Sequence, residues 1–168
     1  MKTVQLMTSI LLALGLSVTA LAENAPVHCT IQAYDGHYLT AVGGGGRTAD
    51  VLHTDARRAS TWERFTLIDS GDGSSNIRYG IRTLSGHYLT AVGGGGRITD
   101  AIHSNATRLL DWEKFTLISL GGGIYAIQTI RGFYLTAVNS GGLINNAIHT
   151  DARRIGNWEK FRFRCRTR

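Results

Sequence analysis

The chain has 168 residues, a formal net charge of +6 and only two cysteines. This length suits a single domain with a sizeable core, and it leaves little room for a large multidomain enzyme. The positive charge favours anionic partners, and the export signal described next favours acidic glycans or an outer surface over anionic cytosolic ligands.

Residues 1–22 have the pattern of a secretory signal peptide. Lys2 supplies a positive start, residues 10–16 are apolar, and Ala20 to Ala22 form a small-residue cleavage site. The apolar segment is shorter than the roughly 20 residues that span a membrane. We therefore expect residues 23–168 to form one domain that is secreted or periplasmic.

Short segments with alternating apolar residues predict an all-β fold. They lie at 38–42, 65–68, 77–84 and 124–130, are rich in Val, Ile, Thr, Tyr and Phe, and are separated by Gly-, Asp- and Ser-rich turns. No segment has a helical period over three turns. In the first part of the chain this pattern predicts strands at 27–34, 37–42, 47–54 and 63–69.

One long stretch occurs three times. It begins at His37, His87 and Phe133 and ends each time in Trp-Glu-Arg/Lys-Phe, which divides the domain into copy 1 (about 27–70), copy 2 (about 77–120) and copy 3 (about 124–168). Such a period must be recognised first, because it fixes the architecture. Twelve short strands in three equal units predict a closed barrel with a hairpin cap and pseudo-threefold symmetry.

The two cysteines, Cys29 and Cys165, lie in the first and last predicted strands. In an exported chain such a pair predicts a disulfide. The bond requires the terminal strands to be neighbours, which agrees with a barrel that closes on itself.

The repeated motifs resemble those of a known family. Gly-His-Tyr-Leu-Thr-Ala-Val, a glycine-rich turn and Trp-Glu-Lys-Phe-Thr-Leu are similar to the fascin-like repeat of β-trefoil proteins, and the resemblance covers nearly all of the chain after residue 22. It implies a β-trefoil. It also implies either a secreted carbohydrate-binding module or, as in other members, an actin-binding protein. The Gln-x-Trp motif of ricin-type lectins is absent, with Glu63, Arg64 and Phe65 in its place, so the ricin sugar site is not carried over.

Apolar identities among the copies predict the core. These positions are Leu39, Leu89 and Leu135; Ala41, Ala91 and Ala137; Phe65, Phe115 and Phe161; and Leu52, Ile102 and Ile148. The glycine pairs at 45–46, 95–96 and 141–142 predict turns with positive φ. Trp62, Trp112 and Trp158 fit either a side chain packed under the cap, which we favour, or an exposed platform for a sugar ring.

Repeated polar residues form the candidate carbohydrate site. Each copy has a His, then an Asp or Asn two residues later, then an Arg: His53, Asp55, Arg58; His103, Asn105, Arg108; His149, Asp151, Arg154. These planar donors and acceptors suit the hydroxyls of a sugar. Two other interpretations stay open. Either Arg58 pairs with Glu63 while His53 stabilises its own hairpin, or the three histidines converge on a zinc ion.

The last strand is basic on one face. Lys160, Arg162, Arg164, Arg166 and Arg168 alternate there with Phe161, Phe163 and Cys165. This face fits an acidic glycan, an anionic headgroup or a solvated strand surface, and it lacks the interleaved aromatic residues expected for nucleic acid.

The sequence as a whole predicts a secreted, non-catalytic, lectin-like protein that binds carbohydrate at up to three related sites. The expected partner is a glycan or surface polysaccharide, without nucleic acid, a membrane span, a cofactor or a metal, and the expected state is a monomer. The alternative is a secreted protein-interaction module, such as a toxin accessory, an inhibitor or an actin-binding-like protein, that uses the loops of the same fold.

Overall fold

The computed structural model describes residues 26–73 and 77–167. The predicted signal peptide lies outside these residues and stays a prediction, as does its cleavage. No helix within the described ranges has the length and apolar character needed to cross a membrane.

Strands and short turns make up the regular structure of this part of the chain. The strands are β1 (Val27–Gln32), β2 (Tyr38–Ala41), β3 (Leu52–Ala56), β4 (Arg64–Asp69), β5 (Arg78–Arg82), β6 (Tyr88–Ala91), β7 (Ile102–Ala106), β8 (Lys114–Gly121), β9 (Ile124–Gln128), β10 (Tyr134–Ala137), β11 (Ile148–Ala152) and β12 (Phe161–Thr167). Four 3₁₀ turns lie at Val42–Gly44, Val92–Gly94, Asp111–Glu113 and Val138–Ser140. The all-β prediction is confirmed.

The predicted boundary of the third strand is wrong. A strand was expected over 47–54, but β3 begins at Leu52. Asp50 has a φ of 50°, in the left-handed region, and residues 48–50 bend. An extended strand cannot pass through such a residue, so pairing starts only after it.

Six strands close into a barrel. β1 pairs with β4 and β12, β5 pairs with β4 and β8, and β9 pairs with β8 and β12. The cycle uses the first and fourth strands of each copy and leaves none of the six with an unpaired edge. The predicted closure is therefore confirmed.

The predicted disulfide joins the two ends of the chain. Cys29 of β1 is the direct partner of Cys165 in β12, with a Cα–Cα distance of 4.0 Å and a sequence separation of 136 residues. Cys29 is buried, whereas Cys165 is exposed at the end of its strand. The bond fixes the seam at which the barrel closes.

Three hairpins cap the barrel around the pseudo-threefold axis. They are β2–β3, β6–β7 and β10–β11. Backbone bonds of 2.7 Å link them in a ring: Gly46 N–H donates to Ser104 O, Gly96 N–H to Thr150 O and Gly142 N–H to Thr54 O. Each copy thus holds its neighbour through the glycine turn, and the predicted positive φ values are observed at all six glycines of the predicted pairs.

The repeated apolar residues fill the barrel and the base of the cap. All twelve predicted core positions are buried, with Phe65, Phe115 and Phe161 at most 1% exposed. Full burial of one such side chain contributes about 1.5–3 kcal/mol. The alternation in the sequence therefore identified the core correctly.

Candidate functional site

The three repeated histidines are each bonded to a residue three positions earlier. His53 Nε2 lies 2.6 Å from Asp50 Oδ1, and His103 Nε2 lies 2.7 Å from Asp100 Oδ1. In copy 3, Asn146 Nδ2 lies 2.9 Å from His149 Nε2. Local stabilisation of the hairpin by histidine, one of the open interpretations, is thus observed.

Arginine completes this network in copies 1 and 2. Arg47 donates to Asp50 Oδ2 at 3.4 Å, and Arg97 donates to Asp100 Oδ2 at 3.3 Å. Hydrogen bonding from His53 lowers the pKa of Asp50, as does the positive charge of His53 and Arg47, while desolvation opposes the shift. Copy 3 has Leu143 and Asn146 at these positions and lacks the charged network.

The other predicted site residues point to solvent. Asp55, Arg58, Asn105, Arg108, Asp151 and Arg154 are all exposed. None of the six takes part in a side-chain hydrogen bond or ion pair within the described ranges. They are free to contact a ligand, but they do not line either of the cavities described below.

The open interpretation in which Arg58 pairs with Glu63 is wrong. Glu63 is only 5% exposed, accepts a 2.8 Å bond from Thr40 Oγ1 and accepts a 2.7 Å bond from Ser60 N–H. Glu113 and Glu159 repeat this arrangement with Thr90 and Thr136. Each carboxylate thus accepts hydrogen bonds that stabilise the turn before the fourth strand of its copy.

The zinc interpretation finds no support in the geometry. Within the described residues, no three His, Cys, Asp or Glu side chains lie close enough together to hold a metal ion. The imidazole nitrogens instead contact the Asp or Asn of their own hairpin.

The copies meet at three junctions, each formed by the glycine turn of one copy and the first turn of the next. We name them by copy as junction 1–2, junction 2–3 and junction 3–1. At junction 1–2, a Cβ on Gly44 would lie 3.7 Å from both Leu84 and Trp62. Ser85 N–H also donates to Gly44 O at 2.9 Å, so the two backbones are in direct contact.

A half-exposed tryptophan accompanies each glycine turn. Trp62, Trp112 and Trp158 are 45%, 49% and 44% exposed. The main chains of two of them are held by hydrogen bonds, since Ala41 N–H donates to Trp62 O and Ala137 N–H donates to Trp158 O. Our favoured prediction, a tryptophan packed under the cap, is wrong. All three side chains are half-exposed to solvent.

The residues that face the glycine turns differ among the junctions. Junction 1–2 has Ser85 and His87, with Ser85 Oγ 2.9 Å from His87 Nδ1. Junction 3–1 has Asp35 and His37, with Asp35 Oδ2 2.7 Å from His37 Nδ1. Junction 2–3 has Arg131 and Phe133, and a Cβ on Gly96 would lie 3.1 Å from the Phe133 ring. From the sequence, Phe133 in place of His37 and His87 already marked the third copy as an altered site. Asp35, Ser85 and Arg131, two residues earlier, were missed.

A cavity of about 590 Å³ lies on the pseudo-threefold axis. Equivalent residues of all three copies line it, including Leu52, Ile102 and Ile148 on its apolar side and Asp50, Asp100 and Asn146 on its polar side. A second cavity of about 580 Å³ lies at the barrel end beside Cys165 and is mainly apolar. Burial there raises the pKa of Tyr79, and Asp69 and Tyr125 add to the shift.

The basic face of β12 is confirmed for three of its five predicted residues, whereas Lys160 lies before the strand and Arg168 lies outside the described residues. Arg162, Arg164 and Arg166 are exposed and oppose Gln32, Thr30 and His28 of β1. Arg162 Nη1 donates to Gly122 O at 3.2 Å.

Solved structures identify the architecture. A designed threefold-symmetric protein, ThreeFoil, matches 81% of this chain and 96% of its own with a TM-score of 0.66 at 17% identity. The agglutinin of Rhizoctonia solani matches 81% of this chain and 92% of its own with a TM-score of 0.62 at 14% identity.

The chain is a β-trefoil.

A third trefoil, SeviL, solved in complex with the asialo-GM1 saccharide, matches 84% of this chain and 97% of its own with a TM-score of 0.58 at 13% identity. These identities establish the shared fold alone. No protein-family model and no curated protein sequence matches the chain, so the fascin-like resemblance stays a prediction.

Proposed function

We propose that this trefoil is a secreted, non-catalytic carbohydrate-binding protein whose three repeat junctions are its sites. The observation that carries the proposal is the half-exposed tryptophan in every copy. Trp62 lies beside Gly44, the turn of Trp112 contacts the Val92–Gly94 turn, and Trp158 O accepts from Ala137 N–H, directly before the Val138–Ser140 turn. A sugar ring presents a C–H face to an aromatic ring and hydroxyls to nearby polar groups. Saccharide binding by a protein of the same fold, SeviL, supports the proposal by analogy.

The glycine turns suit this role. Gly43 and Gly46 are exposed, so a ligand can approach the backbone there, whereas Gly44 is buried against the next copy. The tryptophan ring and the backbone would then contact the same sugar residue from two sides.

The polar set predicted from the sequence is a second group of proposed contacts. Asp55 and Arg58, with their equivalents in the other copies, are exposed and have no internal partner in the part of the chain described. The histidines are less available, because one ring nitrogen of each is already bonded. We therefore expect the aspartates and arginines to contribute more to binding than the histidines.

A catalytic role is not proposed. A glycosidase places two carboxyl groups about 5–10 Å apart on either side of one bond. The repeated glutamates are buried and bonded to threonine and backbone groups, and they are related by the threefold axis rather than paired. Binding is expected to gain strength from several weak sites that engage one polymer together.

A glycan array with the mature, disulfide-bonded chain tests the proposal. We expect binding to a defined glycan class. Trp62→Ala, Trp112→Ala and Trp158→Ala should each weaken it, with a loss of about tenfold or less per site, and combinations should weaken it stepwise. Ile77→Ala, at an exposed apolar residue beside the cavity at the barrel end, is the control and should bind normally.

Variants of the polar set separate the two groups of contacts. If Asp55→Ala and Arg58→Ala reduce binding and the tryptophan variants do not, the sugar contacts lie on the hairpins instead of the junctions. Absence of any bound glycan at millimolar concentration, together with a protein partner recovered by pull-down, would favour the protein-interaction alternative.

A further inference from the structure

Junction 2–3 differs in chemistry from the other two junctions. The Arg131 Cζ atom lies 5.8 Å from the centroid of the Phe133 ring, and the Arg153 Cζ atom lies 5.1 Å from the same centroid. We call these three residues the Arg–Phe–Arg cluster. It places two guanidinium groups on one aromatic side chain, next to the glycine turn at 93–96.

The cluster carries uncompensated positive charge. Arg131 has one hydrogen bond, from Nη1 to Gly93 O at 3.4 Å, and Arg153 has neither a hydrogen bond nor an ion pair within the described ranges. Both side chains are exposed. In contrast, Arg47 and Arg97 are paired with Asp50 and Asp100 in their own hairpins. Two guanidinium groups that share one aromatic ring and have no carboxylate partner attract an anion.

The bond that stabilises this turn in the other two copies is absent from copy 3. At the equivalent positions, Asp35 and Ser85 each bond the histidine two residues later, which stabilises the turn. Arg131 makes no such bond to Phe133. Moreover, Thr83 Oγ1 contacts Ser85 Oγ at 3.2 Å, whereas its equivalent, Thr129 Oγ1, is buried without a partner in the described structure.

Copy 3 has therefore replaced a turn-stabilising pair with a cationic one. The third member of the cluster, Arg153, corresponds to Arg57 in copy 1 and Thr107 in copy 2. Only copy 3 combines arginine, phenylalanine and arginine at the three positions.

We propose that junction 2–3 is the site for the acidic residue of an anionic saccharide. Arg131 and Arg153 would bind a carboxylate or sulfate group, and Phe133 would hold the two guanidinium planes in place. Trp112, in a 3₁₀ turn that packs against the Val92–Gly94 turn, would contact the ring of the same or the adjacent sugar residue. This inference rests on the proposed carbohydrate binding and assigns the acidic specificity to one of the three junctions.

The test uses pairs of glycans that differ only in the acidic group: uronate against its methyl ester, sulfated against unsulfated, and sialic acid against its methyl ester. For at least one pair, we expect the wild-type chain to bind the acidic member about tenfold more tightly, the gain from one or two charge-assisted hydrogen bonds. Carboxylate and sulfate pairs distinguish the two possible sources of the anion.

The variant is Arg131→Ser, Phe133→His and Arg153→Thr combined, which gives copy 3 the residues that copy 2 already has at these positions. It should fold normally, since the chain accommodates that combination once, and thermal unfolding checks this. It should lose the preference for the acidic member while it keeps binding to the neutral one. Arg57→Thr, the matched change in copy 1, and Arg164→Ala, on the exposed face of β12, should keep the preference.

Three results would overturn the inference. The wild-type chain could show no preference in any pair, the triple variant could retain the preference, or Arg164→Ala could abolish it, which would assign the acidic site to β12. In each of these cases neutral glycans still bind, so the proposed function survives. If no glycan of either kind binds, the carbohydrate-binding proposal fails and this inference fails with it.

Discussion

At the residue scale, the polar side chains that recur in this chain divide into those that build the fold and those that remain available. Glu63 and its equivalents are buried and satisfied by threonine and backbone donors. The histidines are bonded to the Asp or Asn three residues earlier. A residue repeated three times is therefore not by that fact a ligand contact.

The sequence predicted which residue types matter but not how they pair. His53 was grouped with Asp55, because the two residues recur together in each copy and suit the hydroxyls of a sugar. Asp50 contacts it instead, because the left-handed backbone at Asp50 turns the chain back toward β3. Pattern rules assume a regular strand, and this bend interrupts it.

Asp50→Asn tests the charged part of this network. Because the pKa of Asp50 in the folded chain is lowered from its ordinary value of 3.8, its stabilising contribution is present above that pH and is lost as the pH falls through the lowered value. Asparagine keeps the left-handed backbone, as Asn146 does with a φ of 47°. The melting temperature of the wild type should exceed that of the variant near neutral pH. This difference in melting temperature should shrink as the pH falls below the ordinary pKa of an aspartate.

The control for this measurement is Asp55→Asn, at an exposed aspartate that has no hydrogen-bonding partner in the described part of the chain. The difference in melting temperature between this variant and the wild type should stay constant over the same pH range. A constant gap for Asp50→Asn as well would contradict the role given to the Asp50–His53 bond.

At the element scale, the glycine turns connect the cap hairpins to their neighbours. Gly45 has φ 103° and ψ −169°, Gly95 has φ 103° and ψ −178°, and Gly141 has φ 132° and ψ −166°. This backbone region is almost exclusive to glycine. Composition and repetition were enough to predict the positive φ. The contact with the following copy could not be predicted, since it depends on how the three units are arranged in space.

Gly45→Ala should be strongly destabilising. The new Cβ would be strained by the backbone and would also collide with the buried side chain of Thr83. We expect the free energy of unfolding, measured with urea, to fall by more than about 2 kcal/mol.

Gly71→Ala is the matched control for this substitution. Gly71 also has a positive φ, of 61°, but a Cβ there would meet nothing within 4 Å. Gly71→Ala should lower the free energy of unfolding by only about 1–2 kcal/mol, the penalty of the left-handed region itself. Equal losses at the two sites would contradict the role of Gly45 in the contact between copies.

At the scale of the whole molecule, the architecture followed from the sequence more completely than the binding surface did. Three copies, a cysteine pair at the two ends and apolar alternation together required a closed barrel, and β1 and β12 are joined as expected. Cross-linking the ends of so long a loop contributes about 4–5 kcal/mol in the chain-entropy model. Exposure of the tryptophans could not be predicted, because it depends on how the turns of neighbouring copies meet.

The pseudo-threefold symmetry of the scaffold is not matched by symmetry in its surface chemistry. Junction 3–1 has Asp35 and His37, junction 1–2 has Ser85 and His87, and junction 2–3 has two arginines on one phenylalanine. One fold thus presents three related surfaces with different charge. If the proposed binding holds, we expect a preference for polymers that mix neutral and acidic residues.

The three tryptophans provide the most direct test of binding at the junctions, because the chain has only three and each belongs to a different copy. The measurement is an NMR titration of the three indole N–H signals with the glycan that binds most tightly on the array. If the junctions are the sites, the indole signals shift with saturation at the same concentrations as binding. Saturable glycan binding that leaves all three indole signals unchanged would contradict the account and move the sites elsewhere on the trefoil.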